Sequence, residues 1–137
     1  MEAPSNKNQR TILIVEDDAE VRDLAVTMFE SEGYTVLTAE NAVIGLETFK
    51  SNPEIDLVFT DVIMPGGVTG VEMTKRILEL RPDALVLLAS GYQDKGAALI
   101  DSTYNMDNIA YVDKPYDVDE IPGIVASMFD NAEASSA

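Results

Sequence analysis

Cysteine and histidine are both absent from this chain of 137 residues. Without cysteine the chain has no disulfide, no thiolate metal ligand and no cysteine nucleophile. Without histidine it has no imidazole base, no imidazole metal ligand and no ring nitrogen that could carry a phosphoryl group. Any chemistry of the chain therefore has to use carboxylates, hydroxyls, lysine and the main chain.

Positive charge is also scarce. The chain has 9 lysines and arginines against 25 aspartates and glutamates, which gives a formal net charge of −16. A surface this acidic repels nucleic-acid phosphates, so direct binding of DNA or RNA is not expected. For most of these carboxylates, solubility is a sufficient explanation.

Long apolar runs are missing as well. No run approaches the ~20 residues that a membrane-spanning helix needs, and residues 1–10 are polar where a signal peptide would have an apolar core. These absences predict a cytoplasmic protein without membrane contact. Small and polar residues predict disordered tails at 1–9 and 131–137. Residues 10–130 between them have the length of one domain.

Short apolar runs alternate with stretches whose apolar residues recur at helical spacing. The runs predict five strands, at 11–15, 34–38, 56–60, 84–89 and 109–112. The stretches predict helices at 21–33, 41–50, 71–80, 95–105 and 117–130. Pro122 and Gly123 predict a delayed first turn in the last helix. This alternation is typical of an α/β fold whose parallel sheet is covered on both faces.

Residues able to bind a metal or a phosphate follow four of the predicted strands. They are Glu16 and Asp17, Asp61, Ser90, and Lys114. Because an open parallel sheet has its binding site at the carboxyl ends of its strands, we expect these side chains to converge. Like charges at short range raise one another's pKa unless a cation neutralises them. Since all candidate ligands are oxygens, the cation they favour is Mg²⁺.

A carboxylate in such a site can act as a nucleophile and form an aspartyl phosphate. Phosphoryl transfer depends on charge neutralisation more than on acid–base chemistry, so it needs no histidine on this side. The residues therefore suggest Asp61 as the acceptor and Glu16 and Asp17 as metal ligands. Ser90 and Lys114 would bind phosphoryl oxygens.

Four segments carry a resemblance to a known family. They read LIVEDD, DLVFTDVIMPG, VLLASGY and YVDKPY, at 13–18, 56–66, 86–92 and 111–116. In order and spacing they resemble the response regulator receiver domain of two-component signalling, over about residues 11–130. The loop at 66–70 is similar to that of receiver domains in hybrid sensor kinases. The resemblance implies a flavodoxin-like, doubly wound (βα)5 fold with parallel strands in the order 2-1-3-4-5.

The resemblance also implies which residues hold the phosphoryl group and the metal. Asp61 matches the phosphoacceptor of the family. Glu16 and Asp17 match its Mg²⁺-binding acidic pair, with Asp17 the stronger ligand, and the main-chain carbonyl of Ile63 matches the third protein ligand. Asp18 lies one step beyond the pair and is not expected to bind the metal.

Further positions match the parts of the family that respond to phosphorylation. Ser90 matches the switch hydroxyl, Tyr111 the switch aromatic residue, and Lys114 the lysine that contacts the phosphoryl group. Ile63 and Tyr92 match the positions that control how water reaches the aspartyl phosphate. Ile63 offers water no hydrogen bond, and Tyr92 could donate one but has a ring bulky enough to cover the approach, so we expect slow hydrolysis.

The function implied is a phosphorylation-activated switch rather than an enzyme acting on external substrates. Because the chain has no histidine, the donor has to be a partner, either a histidine kinase or a histidine phosphotransfer protein. Output would follow through contact with a downstream protein or by passing the phosphoryl group on. One alternative is an aspartate-nucleophile phosphatase, which typically has a second acid two residues after the nucleophile, where this chain has Ile63. The other alternative is an interaction module that is never phosphorylated, which the intact acidic pair disfavours.

Overall fold

The computed structural model describes residues 10–62, 69–90, 108–114 and 117–136. Within these ranges five parallel strands form one sheet in the order β2-β1-β3-β4-β5. The strands are β1 (Thr11–Val15), β2 (Thr35–Ala39), β3 (Ile55–Asp61), β4 (Leu85–Ser90) and β5 (Ile109–Asp113). The predicted α/β class, the strands and their order are confirmed, with each strand boundary within one residue of its predicted place.

Within the described residues, helices follow β1, β2, β3 and β5. They are α1 (Ala19–Ser31), α2 (Ala42–Ser51), α3 (Gly70–Leu80) and α4 (Ile121–Ser136). The helix predicted at 95–105, the tail at 1–9 and Pro115 lie outside the described residues. Among the helices that are described, none combines the length and the apolarity that a membrane crossing requires.

The sheet is covered on both faces, because successive side chains of a buried strand point to opposite sides. In β1, Leu13 and Val15 belong to one buried apolar cluster, which α2 and α3 complete. Ile12 and Ile14 belong to a second cluster, completed by α1 and α4. All of β1 is buried, and Glu16, which follows it at the carboxyl edge of the sheet, is buried as well.

Side-chain caps fix where the helices begin at this edge. The Asp18 carboxylate accepts hydrogen bonds from the main-chain N–H groups of Glu20 and Val21, which starts α1. Asn41 caps α2 in the same manner. Thr69 starts α3 through a reciprocal capping box with a glutamate three residues on. These caps satisfy N–H groups that have no partner within the helix, so they set the lengths of the turns between strand and helix.

The last helix differs from its prediction at both ends. It begins at Ile121, after a turn in which the Asp117 carbonyl accepts from the N–H groups of Glu120 and Ile121. This late start confirms the delayed first turn, because proline has no N–H and is tolerated only near the beginning of a helix. At its other end α4 continues to Ser136, through residues predicted as a disordered tail. Ala132 packs against the buried cluster and alanine favours helix, which accounts for the extension.

A close contact joins the first residue of α3 to the end of β3. A Cβ at Gly70 would overlap the main-chain carbonyl oxygen of Asp61. The Gly70 N–H donates to the Val62 carbonyl at 2.8 Å, and the Thr60 hydroxyl donates to the Asp61 carbonyl at 3.0 Å. The start of α3 therefore rests directly on the backbone that carries the Asp61 side chain.

We expect Gly70→Ala to lower the free energy of unfolding by roughly 2–3 kcal/mol, because a methyl group has to displace backbone rather than a flexible side chain. Gly123→Ala is the matched control, since nothing lies within 4 Å of a Cβ there. It should leave stability unchanged or raise it by up to about 1 kcal/mol. Urea unfolding of both variants measures the difference, and equal stabilities would contradict the close contact.

Candidate functional site at the carboxyl edge of the sheet

Strand register brings the predicted site residues to one edge. Val15 pairs with Thr60, so Glu16 and Asp61 follow neighbouring positions on adjacent strands. Further along the sheet Asp61 pairs with Ala89, and Ser90 pairs with the residue before Lys114. The backbone thus places all four predicted strand ends beside one another, as parallel topology requires.

Three carboxylates form a tight cluster at this edge. One oxygen from each of Glu16, Asp17 and Asp61 lies within 4.8 Å of the others. Glu16 is 2% exposed and Asp61 4% exposed, whereas Asp17 is exposed to solvent. Two of the three charges are therefore held away from water, which is costly unless a cation offsets them.

Lys114 supplies one positive charge to this cluster. Its Nζ donates to Oδ1 of Asp61 at 2.8 Å and to Oδ2 at 3.0 Å. Burial lowers the pKa of Lys114, but the hydrogen bond that it donates to Asp61 and the charges of Asp61, Glu16 and Asp17 outweigh this effect and raise that pKa overall. The ammonium therefore stays charged while it contacts both oxygens of the acceptor candidate.

One ammonium does not neutralise the cluster. Burial raises the pKa of Asp61 from 3.8 to about 6, and the charge and hydrogen bond of Glu16 add to the rise, although Lys114 acts in the opposite direction. The donor set consists of oxygens only, with carboxylates close enough to share one ion. These features fit a hard divalent cation such as Mg²⁺, which binds through one or two carboxylates and keeps the remaining positions for water and phosphate oxygens.

Asp18 and Arg22 take part in the site although neither was predicted to act there. The Asp18 N–H donates to Oε2 of Glu16 at 3.1 Å while its carboxylate caps α1, and the expectation that Asp18 is not a metal ligand stays a prediction. Arg22 donates from Nη1 to the main-chain carbonyl of Glu16 at 2.8 Å. An aspartate just before a helical pattern is typical of an N-cap, so the role of Asp18 could have been predicted. Nothing in the local sequence indicates which carbonyl the long Arg22 side chain contacts.

The remaining predicted positions are described only in part. The main chain of Ser90 ends β4 at the expected edge. Tyr111 lies on β5 at the edge of the sheet and is 38% exposed. Ile63 and Tyr92 lie outside the described residues, so their predicted roles in metal binding and water access stay predictions.

The model of the response regulator receiver domain family matches residues 12–126, most of the chain. The chain belongs to the response regulator receiver domain family. As a receiver domain it has the fold of a phosphorylation-dependent signalling module of two-component systems. Receiver domains generally accept phosphoryl groups rather than act as enzymes, and they bind Mg²⁺ at an acidic cluster, which this receiver domain has at Glu16, Asp17 and Asp61.

Named relatives of the receiver domain include a sensor kinase and a response regulator receiver protein. The sensor kinase CckA of Brucella abortus is 35% identical over 89 residues, which cover 64% of this chain but only 9% of that kinase. The response regulator receiver protein CpdR of the same organism is 31% identical over 61% of this chain and 68% of its own length. A receiver domain protein of Clostridium thermocellum superposes with a TM-score of 0.82 at 24% identity, covering 91% of this chain and 98% of its own. That last likeness shows the fold.

In Mg²⁺-free buffer, Asp61→Asn should stabilise the receiver domain at pH 8. The pKa of Asp61 is raised on folding, so its contribution to stability is fully present below pH 3.8 and is lost as the pH rises through about 6. Asparagine stays neutral throughout, so the variant should gain on the order of 2–3 kcal/mol at pH 8 and almost nothing at pH 4.

Urea unfolding across this pH range measures the gain. Asp56→Asn is the matched control, because Asp56 lies at the other end of β3 and accepts from the Thr11 N–H. A gain for Asp61→Asn that does not grow between pH 4 and pH 8 would contradict the electrostatic account of the cluster.

Proposed function

We propose that this receiver domain is a signalling switch that accepts a phosphoryl group on Asp61. The donor is the phosphohistidine of a partner, either a histidine kinase or a histidine phosphotransfer protein. The observation that carries the proposal is the contact of Lys114 with both Asp61 oxygens inside the three-carboxylate cluster. That arrangement places one buried carboxylate in contact with a cation and within 4.8 Å of two further carboxylates that could hold a metal with it.

The chemistry follows from these contacts. An Asp61 oxygen attacks phosphorus, an O–P bond forms, and the N–P bond to the partner's histidine breaks with its electron pair returning to the imidazole. Lys114 then donates to an oxygen of the bound phosphoryl group, because the Asp61 carboxylate loses its negative charge when its oxygen bonds to phosphorus. Mg²⁺, when bound, neutralises the charge that develops on the phosphoryl oxygens.

Glu16, Asp17, Asp61 and the Ile63 main-chain carbonyl are the residues proposed to hold Mg²⁺. Support comes from the distances among the three carboxylates and from the burial of Glu16 and Asp61. The acceptor needs to be ionised to attack, and a bound divalent cation lowers the pKa of a neighbouring carboxyl. Binding of the metal would therefore also activate the nucleophile, because it would favour the ionised form of Asp61.

Ser90 and Tyr111 are proposed to report the phosphorylation to the surface. The Ser90 hydroxyl would move toward the phosphoryl group, and the space it leaves would admit the ring of Tyr111. In support, Ser90 ends β4, Tyr111 lies on the neighbouring strand β5, and the tyrosine is 38% exposed before any modification. Burial of the ring changes the surface that a partner meets, which is a population shift between two arrangements.

The setting that best suits this chemistry is the cytoplasm, where the phosphoryl donor and the downstream protein would both be met. Output is proposed to pass through protein contact or onward transfer of the phosphoryl group. The receiver domain would promote only its own phosphorylation and dephosphorylation. Its net charge of −16 disfavours direct contact with nucleic acid.

Incubation with acetyl phosphate and Mg²⁺ should add one phosphoryl group to the parent and none to Asp61→Asn, because an amide is a poor nucleophile. Asp56→Asn serves as the control, since it changes an aspartate of the same strand at the opposite edge of the sheet. Intact-mass measurement gives the result. Phosphoryl gain by Asp61→Asn, or its loss in Asp56→Asn, would overturn the assignment of the acceptor.

Addition of Mg²⁺ and beryllofluoride, a phosphoryl mimic, should bury the Tyr111 ring. Fluorotyrosine labelling with ¹⁹F NMR follows the solvent exposure of each tyrosine, and Tyr111→Phe assigns the signal. Ser90→Ala is the matched variant, because it removes the hydroxyl without adding bulk and should leave Tyr111 exposed. A ring that stays exposed in the parent, or turns inward equally in Ser90→Ala, would contradict the switch.

A further inference from the structure

Arg22 holds the peptide group that joins the two acidic residues of the site. Its Nη1 donates to the main-chain carbonyl of Glu16 at 2.8 Å, from a half-buried position on the first turns of α1. The acceptor carries no charge, so the contact is a charge-assisted hydrogen bond and not an ion pair. The arginine side chain therefore binds the backbone of the cluster.

The bond fixes more than one atom, because a peptide group is planar. The Glu16 carbonyl shares its plane with the nitrogen and Cα of Asp17. Once the carbonyl is held, the Asp17 nitrogen and Cα are held in its plane, so the Asp17 side chain can reorient only by rotation about the N–Cα bond and about its own side-chain bonds. This matters most for Asp17, since its side chain is exposed while that of Glu16 is buried.

Other contacts make the anchor rigid. The Glu16 N–H donates to the Ala39 carbonyl at the end of β2, and Oε2 of Glu16 accepts from the Asp18 N–H. The Arg22 N–H donates to the Asp18 carbonyl at 2.8 Å, so Arg22 is tied to this turn by both its main chain and its side chain. Glu16, at the start of the turn from β1 into α1, is thus hydrogen-bonded through its main-chain nitrogen, its main-chain carbonyl and its carboxylate.

We infer that Arg22 is a positioning residue that sets the spacing of the Asp17 and Asp61 carboxylates for a small divalent cation. The inference rests on the proposed Mg²⁺ site. Mg²⁺ requires near-octahedral geometry and short ligand distances, whereas Ca²⁺ accepts variable geometry at longer ones. A preformed carboxylate spacing therefore favours Mg²⁺ over Ca²⁺, and loss of the anchor should reduce that preference.

Titration of Arg22→Ala with Mg²⁺ and with Ca²⁺, followed by amide NMR, tests the inference. We expect the Mg²⁺ affinity to fall by about five- to tenfold, the effect of one lost hydrogen bond, and the Ca²⁺ affinity to fall by less than about threefold. Arg22→Lys keeps a donor and the charge and should recover part of the Mg²⁺ affinity. Circular dichroism and thermal unfolding establish that each variant is folded.

Arg81→Ala is the matched control. Arg81 also donates from Nη1 to a main-chain carbonyl, that of Pro53 at 3.2 Å, but this contact lies at the other edge of the sheet. Its loss should leave the affinity for both ions unchanged. A loss in Arg81→Ala equal to that in Arg22→Ala would assign the effect to general loosening of the fold and overturn the inference.

The remaining outcomes separate the inference from the proposed function. Failure of the parent to bind Mg²⁺ would overturn the metal site itself. If the parent binds Mg²⁺ and Arg22→Ala binds it equally well or more tightly, only the positioning role is overturned. Arg22 would then either have no effect on Mg²⁺ binding or weaken it by charge repulsion. Equal losses for Mg²⁺ and Ca²⁺ would also overturn it, because spacing would not be what Arg22 controls.

Discussion

The Lys114 ammonium reaches both oxygens of Asp61 although the two residues come from β5 and β3, with β4 between them. Neighbouring strands lie about 4.8 Å apart, so the Lys114 and Asp61 side chains together cover roughly two strand spacings. Without this contact the carboxylates of Glu16, Asp17 and Asp61 would share one edge of the sheet without the Lys114 ammonium to offset their negative charge. The Lys114–Asp61 pair can form only if β3, β4 and β5 keep their observed register, so the site depends on the fold of the sheet.

The cluster of Glu16, Asp17 and Asp61 has an electrostatic cost, because like charges lie close together and two of them are buried. Burial and the neighbouring Glu16 raise the pKa of Asp61 to about 6 even with Lys114 in contact. The free-energy cost of burying these carboxylates is offset by other parts of the fold. These are the apolar clusters on both faces of the sheet and the helix caps at the same edge. A site that violates the rules for burying charge in this manner is typical of function rather than of packing.

The sequence allowed much of the fold to be predicted, because buried strands such as β1 and β3 read as short apolar runs with polar residues at one end. The convergence of Glu16, Asp17, Asp61 and Lys114 followed from parallel topology. The contacts that fix the cluster were not predictable, since the path of the Arg22 side chain depends on tertiary packing. The end of α4 was missed for a related reason, because the packing of Ala132 against the buried cluster is a tertiary contact that the local sequence does not show.

A structure determined with Mg²⁺ and beryllofluoride tests the central claim most directly, since it shows the acceptor, the metal and the lysine together. The account predicts beryllium bonded to an Asp61 oxygen, Mg²⁺ in contact with Asp17 and Asp61, and the Lys114 Nζ moved from the carboxylate to a fluoride. Beryllofluoride bound at another carboxylate would contradict it. So would a Lys114 that keeps both Asp61 oxygens with no Mg²⁺ at the cluster.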